Sequence, residues 1–156
     1  MNGSNFRCSW HLPPEQEAIR AKCFHPTGAF VEFTQEEVEQ SISKRFEKIA
    51  QLYPDNIAIK TDNRIVRYSE LDAMANRVAH SIILEVGHFS RTIRLLVGSR
   101  IALLATALGV LKTGNCVVFL DPRFPLERLR KVTEDCQPAI VVADRQTILL
   151  AGQIID

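Results

Sequence analysis

The sequence predicts an α/β protein in which parallel β-α-β units follow a short antiparallel hairpin. From Thr92 onward, short apolar runs alternate with longer helical patterns, the signature of strands joined by helical crossovers. Upstream, Leu71, Met74, Ala75, Val78, Ala79, Ile82 and Ile83 follow the spacing of one buried helical face. Just before them, two β-type runs flank Asp62-Asn63, residue types that readily take the backbone conformations of a tight turn.

Residues 1–33 carry Gly3, Pro13, Pro14, Pro26 and Gly28 without sustained periodicity and read as a leader or linker, so the packed portion is placed at 34–156. Thr34-Gln35-Glu36-Glu37 fits a capping box, with Phe33 and Val38 positioned as its hydrophobic staple. Val38, Ile42, Phe46, Ile49 and Tyr53 then form a helical stripe that Pro54 ends, with Ser41 and Ser43 as alternative caps where the helix would break. Ile57–Lys60 and Ile65–Tyr68 are the hairpin strands, and the long helix begins with Ser69 as cap and closes near Gly87.

The remaining series is Thr92–Val97 as strand, Arg100–Thr113 as helix, Cys116–Leu120 as strand, Pro125–Cys136 as helix and Ala139–Val142 as strand. Short strands joined by helices of this length imply parallel pairing, with strands covered on both faces.

Composition narrows the function classes. The chain has 156 residues, 46% hydrophobic and 24% charged, which is enough to bury a core in one globular unit. A net charge of +1 leaves no electrostatic footprint for nucleic acid or an anionic membrane surface. The longest apolar run, Ile101 to Leu111, falls far short of the ~20 residues of a spanning helix. The first residues, interrupted by Arg7, His11, Pro13 and Pro14, lack the apolar segment of a secretory signal, so a cytoplasmic location is expected. Cys8, Cys23, Cys116 and Cys136 are expected to be reduced thiols, with Cys116 acting as a small hydrophobe in its strand.

Candidate chemistry is sparse. Gly98-Ser99-Arg100 opens a helix after a core strand, where free backbone amides can hold an anion, but no multi-glycine loop or phosphate-binding lysine accompanies it. It reads as an ordinary cap. Cys8, His11, Cys23 and His25 are metal-ligand types at a spacing that matches no standard zinc pattern. His80 lies opposite the apolar stripe and faces solvent, and His88 lies in a loop. No serine or cysteine has a base at a spacing that would support a hydrolase triad. Glu127, Arg128, Arg130 and Lys131 surround an apolar spine of Leu126, Leu129 and Val132, as on a solvated helix face. No residue is assigned to catalysis, cofactor binding or metal binding.

Two motifs carry a resemblance. Leu111-Lys112-Thr113-Gly114-Asn115-Cys116-Val117-Val118-Phe119-Leu120-Asp121-Pro122, followed by Phe124-Pro125-Leu126-Glu127-Arg128-Leu129, is similar to L-K-A-G-x-A-Y-V-P-L-D-P and Y-P-x-E-R-L. Those stretches belong to the amino-acid-activating domains of nonribosomal peptide synthetases, which are adenylate-forming (AMP-binding) ligases. Arg67-Tyr68-Ser69-Glu70-Leu71 with Ala75, Asn76, Arg77 and Ala79 resembles the family's L-T-Y-x-E-L and N-x-x-A-N-R-L-A. The stretch around Phe46-Glu47-Lys48-Ile49-Ala50 and Tyr53-Pro54-Asp55 agrees, so the resemblance covers roughly Thr34 to Asp144. Phe119 stands for the usual proline, Val117 for tyrosine, Asn115 for a frequent glycine and Arg67 for threonine.

The residues themselves read as architecture: Gly114 as a helix end with positive φ, Asp121-Pro122 as a strand stop, Tyr68 and Leu71 as pins of a helix to a sheet. The resemblance implies a truncated N-terminal portion of the adenylate-forming fold. The complete enzyme would use ATP and Mg to join an amino acid to AMP, then pass the acyl group to the phosphopantetheine thiol of a carrier protein. The phosphate loop and the mobile-domain lysine that perform this chemistry have no counterpart here, so the fragment is expected to hold no cofactor and to be inactive alone, with the remainder of the synthetase as its partner. Two alternatives stand beside it: a non-catalytic interaction module derived from the fold, and an unrelated doubly wound ligand-binding domain using the Gly98-Ser99 helix start. A sheet cut short would expose an edge, and self-association through that edge is expected.

Overall fold

A computed structural model describes residues 13–14, 35–87, 90–136 and 139–155. The chain divides into two units, Met1–Glu39 and Gln40–Asp156. In the first, Gln35–Val38 forms one helical turn, α1. The Thr34 box and its Phe33 partner lie outside the described residues, and Val38 is exposed.

The second unit opens with α2 (Ile42–Leu52), whose cap is Ser41: its hydroxyl accepts the Lys44 amide at 3.3 Å. The break foreseen at Ser41 therefore occurs, and it changes the buried face. Ile42, expected in the apolar stripe, is exposed on the first turn, whereas Ser43 and Ala50 are buried. A helix restarted at Ser41 takes its phase from the new cap rather than from Val38.

Strands β1 (Ile57–Lys60) and β2 (Ile65–Arg67) pair antiparallel, with a register irregularity between Ile57 and Ile59. The long helix α3 (Tyr68–Val86) follows without a loop. Ser69 is not its cap, because Arg67 holds that position in an extended conformation and Tyr68 is already helical. The orphan amides at this end are satisfied from elsewhere: the Tyr68 and Ser69 amides donate to the Asn56 and Pro54 carbonyls, both at 3.0 Å, and the Arg67 amide donates to the Glu70 carboxylate at 2.8 Å. Gly87 ends the helix with φ of 74°.

Three parallel strands form the main sheet, β3 (Thr92–Leu96), β4 (Cys116–Phe119) and β5 (Ile140–Ala143), in the spatial order β4-β3-β5. Thr92 pairs with Cys116 on one side, and Ile93 pairs with Ile140 on the other. Helices α4 (Arg100–Lys112) and α5 (Leu126–Cys136) make the two crossovers. Because the first crossover steps to one side of β3 and the second steps back past it, the helices cover opposite faces. Ile93, Leu95 and Val97 pack with Ala107 and Val110 of α4 and Ile82 of α3. Leu96 packs on the other face with Leu129 of α5 and with Ala151 and Ile154 of a last helix, α6 (Ile148–Ile155).

Burial on both faces holds for the central strand, where Ile93, Leu95 and Leu96 are 0% exposed. It is only partial for the flanking strands: Phe119 at the end of β4 is 59% exposed, and all of β5 is half-buried. Cys116, expected as a small hydrophobe, is an exposed free thiol at the start of edge strand β4. The helix α6 was not anticipated. Its eight residues, with Gly152 among them, are too few to display a helical period.

Candidate functional site

In an open parallel sheet, ligands lie where neighbouring strands send their loops to opposite faces. Here that point is the carboxyl end of β3 and β4. A crevice of about 560 Å³ sits there, bounded by Gly98 and Arg100 after β3 and by Asp121 and Arg123 after β4. Two of its charges, Asp121 and Arg123, are paired with each other. Arg123 grips Asp121 through Nε at 2.9 Å and Nη2 at 2.5 Å, and the Arg123 amide adds a bond at 3.0 Å. The guanidinium, then that amide, hold the Asp121 carboxyl down to about 2. Beside the crevice, the Arg128 guanidinium lies 4.2 Å over the Phe124 ring.

Gly98-Ser99-Arg100, the one anion-site candidate in the sequence, sits on the wall of this crevice. Ser99 caps α4, its hydroxyl accepting the Ala102 amide at 3.4 Å. The two amides that a phosphate would need already hold an anion. Asp144 Oδ2 accepts from the Gly98 amide at 2.8 Å and from the Ser99 amide at 3.1 Å. The same carboxylate's Oδ1 accepts the amides of Gln146 and Thr147 at 3.0 and 3.1 Å, shaping the turn into α6. Burial works to raise the Asp144 pKa, but these amides and the Thr147 hydroxyl outweigh it and lower it below the ordinary carboxylate value. Thr147 in turn donates its hydroxyl to the Leu96 carbonyl at the end of β3.

The other end of α4 is held by a cation. Lys112 has a side chain only 7% exposed, and its Nζ reaches Glu47 of α2 at 2.5 Å and Asp72 of α3 at 2.9 Å. Desolvation opposes its charge, yet hydrogen bonds and Coulomb attraction to those carboxylates raise its pKa overall. The amide end thus complements the helix dipole with an anion, whereas the Lys112 charge at the other end is taken up by carboxylates of α2 and α3. Beyond Lys112 the turn closes through Gly114, with φ of 74°, and Asn115, which is buried and accepts the Arg91 amide at 2.8 Å. His80 is exposed, as foreseen, and the Cys8, His11, Cys23, His25 and His88 candidates lie outside the described residues. Among the described residues, no group of three His, Cys, Asp or Glu could hold a metal ion, and no helix is long and apolar enough to cross a membrane.

Residues 46–154 match the family described as AMP-binding enzyme. The chain belongs to that family. It is 32% identical over 135 residues to a dimodular nonribosomal peptide synthase of Bacillus subtilis (strain 168), which covers 86% of this chain and 5% of that protein. Tyrocidine synthase 1 of Brevibacillus parabrevis is 28% identical over 115 residues, covering 74% of this chain and 11% of that protein. Among solved structures, a benzoate CoA ligase from Burkholderia xenovorans LB400 superposes with a TM-score of 0.67 at 18% identity, covering 74% of this chain and 24% of that one. IdnL7 superposes with a TM-score of 0.66 at 25% identity, covering 74% and 23%. The sequence thus corresponds to an N-terminal portion of an AMP-binding adenylation domain, and it spans a small fraction of the length of the relatives it matches.

Within this AMP-binding fold, three features escaped the sequence reading. Lys112 is a motif residue, but its carboxylates come from helices far upstream, so the motif alone names one third of the cluster. Asp144 has only the weak local signal of an Asp-x-x-Thr turn. Gly109 was invisible inside an apolar helix, yet a Cβ there would lie 2.7 Å from Val78 Cβ and 2.8 Å from the Ala75 carbonyl. It is where α3 and α4 touch.

Proposed function

We propose that this chain is the opening scaffold of an amino-acid-activating, adenylate-forming unit of nonribosomal peptide biosynthesis, with 34–156 as the domain portion and 1–33 as a leader or linker. In the complete enzyme, ATP and an amino acid would give aminoacyl-AMP and pyrophosphate, and the acyl group would pass to a carrier-protein thiol in the cytoplasm. The kinship with peptide synthetases and the motif running from Lys112 to Pro122 support this reading.

One observation carries the assignment of scaffold rather than chemistry: the Gly98 and Ser99 amides are spent on Asp144. These residues do not fit a nucleotide phosphate, because a second anion would have to displace a carboxylate that four amides already hold. ATP and Mg therefore belong to parts of the enzyme beyond these residues. The test is ATP-pyrophosphate exchange by the purified chain with each proteinogenic amino acid, beside calorimetric titration with ATP·Mg. No exchange and no heat of binding are expected. Exchange with any amino acid overturns the scaffold assignment, and binding that vanishes in Gly98→Val would relocate the nucleotide to the α4 start.

A further inference from the structure

We draw no further inference here: the strongest candidate, the crevice at the carboxyl ends of β3 and β4 with Arg100 on its wall, belongs to the site already described, and nothing in the structure shows what covers it.

Discussion

The two ends of α4 are tied to the rest of the molecule by opposite charges and by different means. At the amino end, a carboxylate accepts backbone amides in a partly exposed turn; at the carboxyl end, a lysine that is 7% exposed is divided between carboxylates of two other helices. The first contact is local in effect, organising the starts of α4 and α6. The second is a three-helix tie whose loss would strand two carboxylates around an unfilled space. The difference teaches that a charge at a helix end can act on the backbone amides, as Asp144 does, or on other helices, as Lys112 does, and that burial decides how much depends on it.

Substitution where α4 touches α3 should disturb both ends at once. Gly109→Val puts side-chain atoms against Val78 and the Ala75 backbone, forcing α3 and α4 apart so that both ends lose their geometry; a loss of about 3 kcal/mol in urea denaturation is expected, at the upper end for overpacking. A stability within error of the parent would refute that close approach. Next, Lys112→Met should cost about 2–3 kcal/mol, below the full value for a broken buried pair because Glu47 is 44% and Asp72 28% exposed. Asp144→Ala should cost about 1–2 kcal/mol, the scale of a lost helix cap, in the same assay. If Asp144→Ala proves costlier than Lys112→Met, burial is not what ranks the two ends. Asn115→Ala, which removes the acceptor for the Arg91 amide, should cost about 1 kcal/mol.

Acid and alkali should separate the ends in opposite directions. Because the Asp144 pKa is lowered on folding, its contribution is complete above the unfolded carboxylate value of about 3.9 and disappears as pH falls through the folded value. The Lys112 pKa is raised, so its contribution is complete below about 10.4 and disappears as pH rises through the folded value. Melts of parent and Asp144→Ala should therefore converge in acid, and those of parent and Lys112→Met in strong alkali. Convergence of either pair at neutral pH would contradict the assignment.

Most of the fold was legible from Tyr68 onward because its elements are long or strongly apolar. The α3 stripe, the β3-α4-β4-α5-β5 alternation, the positive φ at Gly114 and the solvated face of α5 all appear where periodicity and turn chemistry place them. Legibility failed where a boundary depended on a distant partner. Tyr68 and Ser69 are helical because carbonyls at Pro54 and Asn56 accept their amides, and Ile42 is exposed because Ser41 restarts the helix. The candidate site was half legible: Gly98-Ser99 was read as an ordinary cap at a helix start whose amides could hold an anion, and the anion they do hold comes from Asp144, 46 residues from Gly98. No local pattern announces such a partner. Asn115, read only as a departure from a frequent glycine, proves to tie the α4–β4 turn to the start of β3.

The Lys112 tie also bears on how fast the molecule comes apart. Lys112 and Glu47 are 65 residues apart in sequence, so their contact waits on a long loop closure, whereas α4 and its neighbouring strands can associate through nearer segments. A contact made after the rate-limiting barrier acts on the unfolding limb of a chevron. Lys112→Met is accordingly expected to accelerate unfolding and leave refolding nearly unchanged, making this buried cation a governor of the lifetime of the native state.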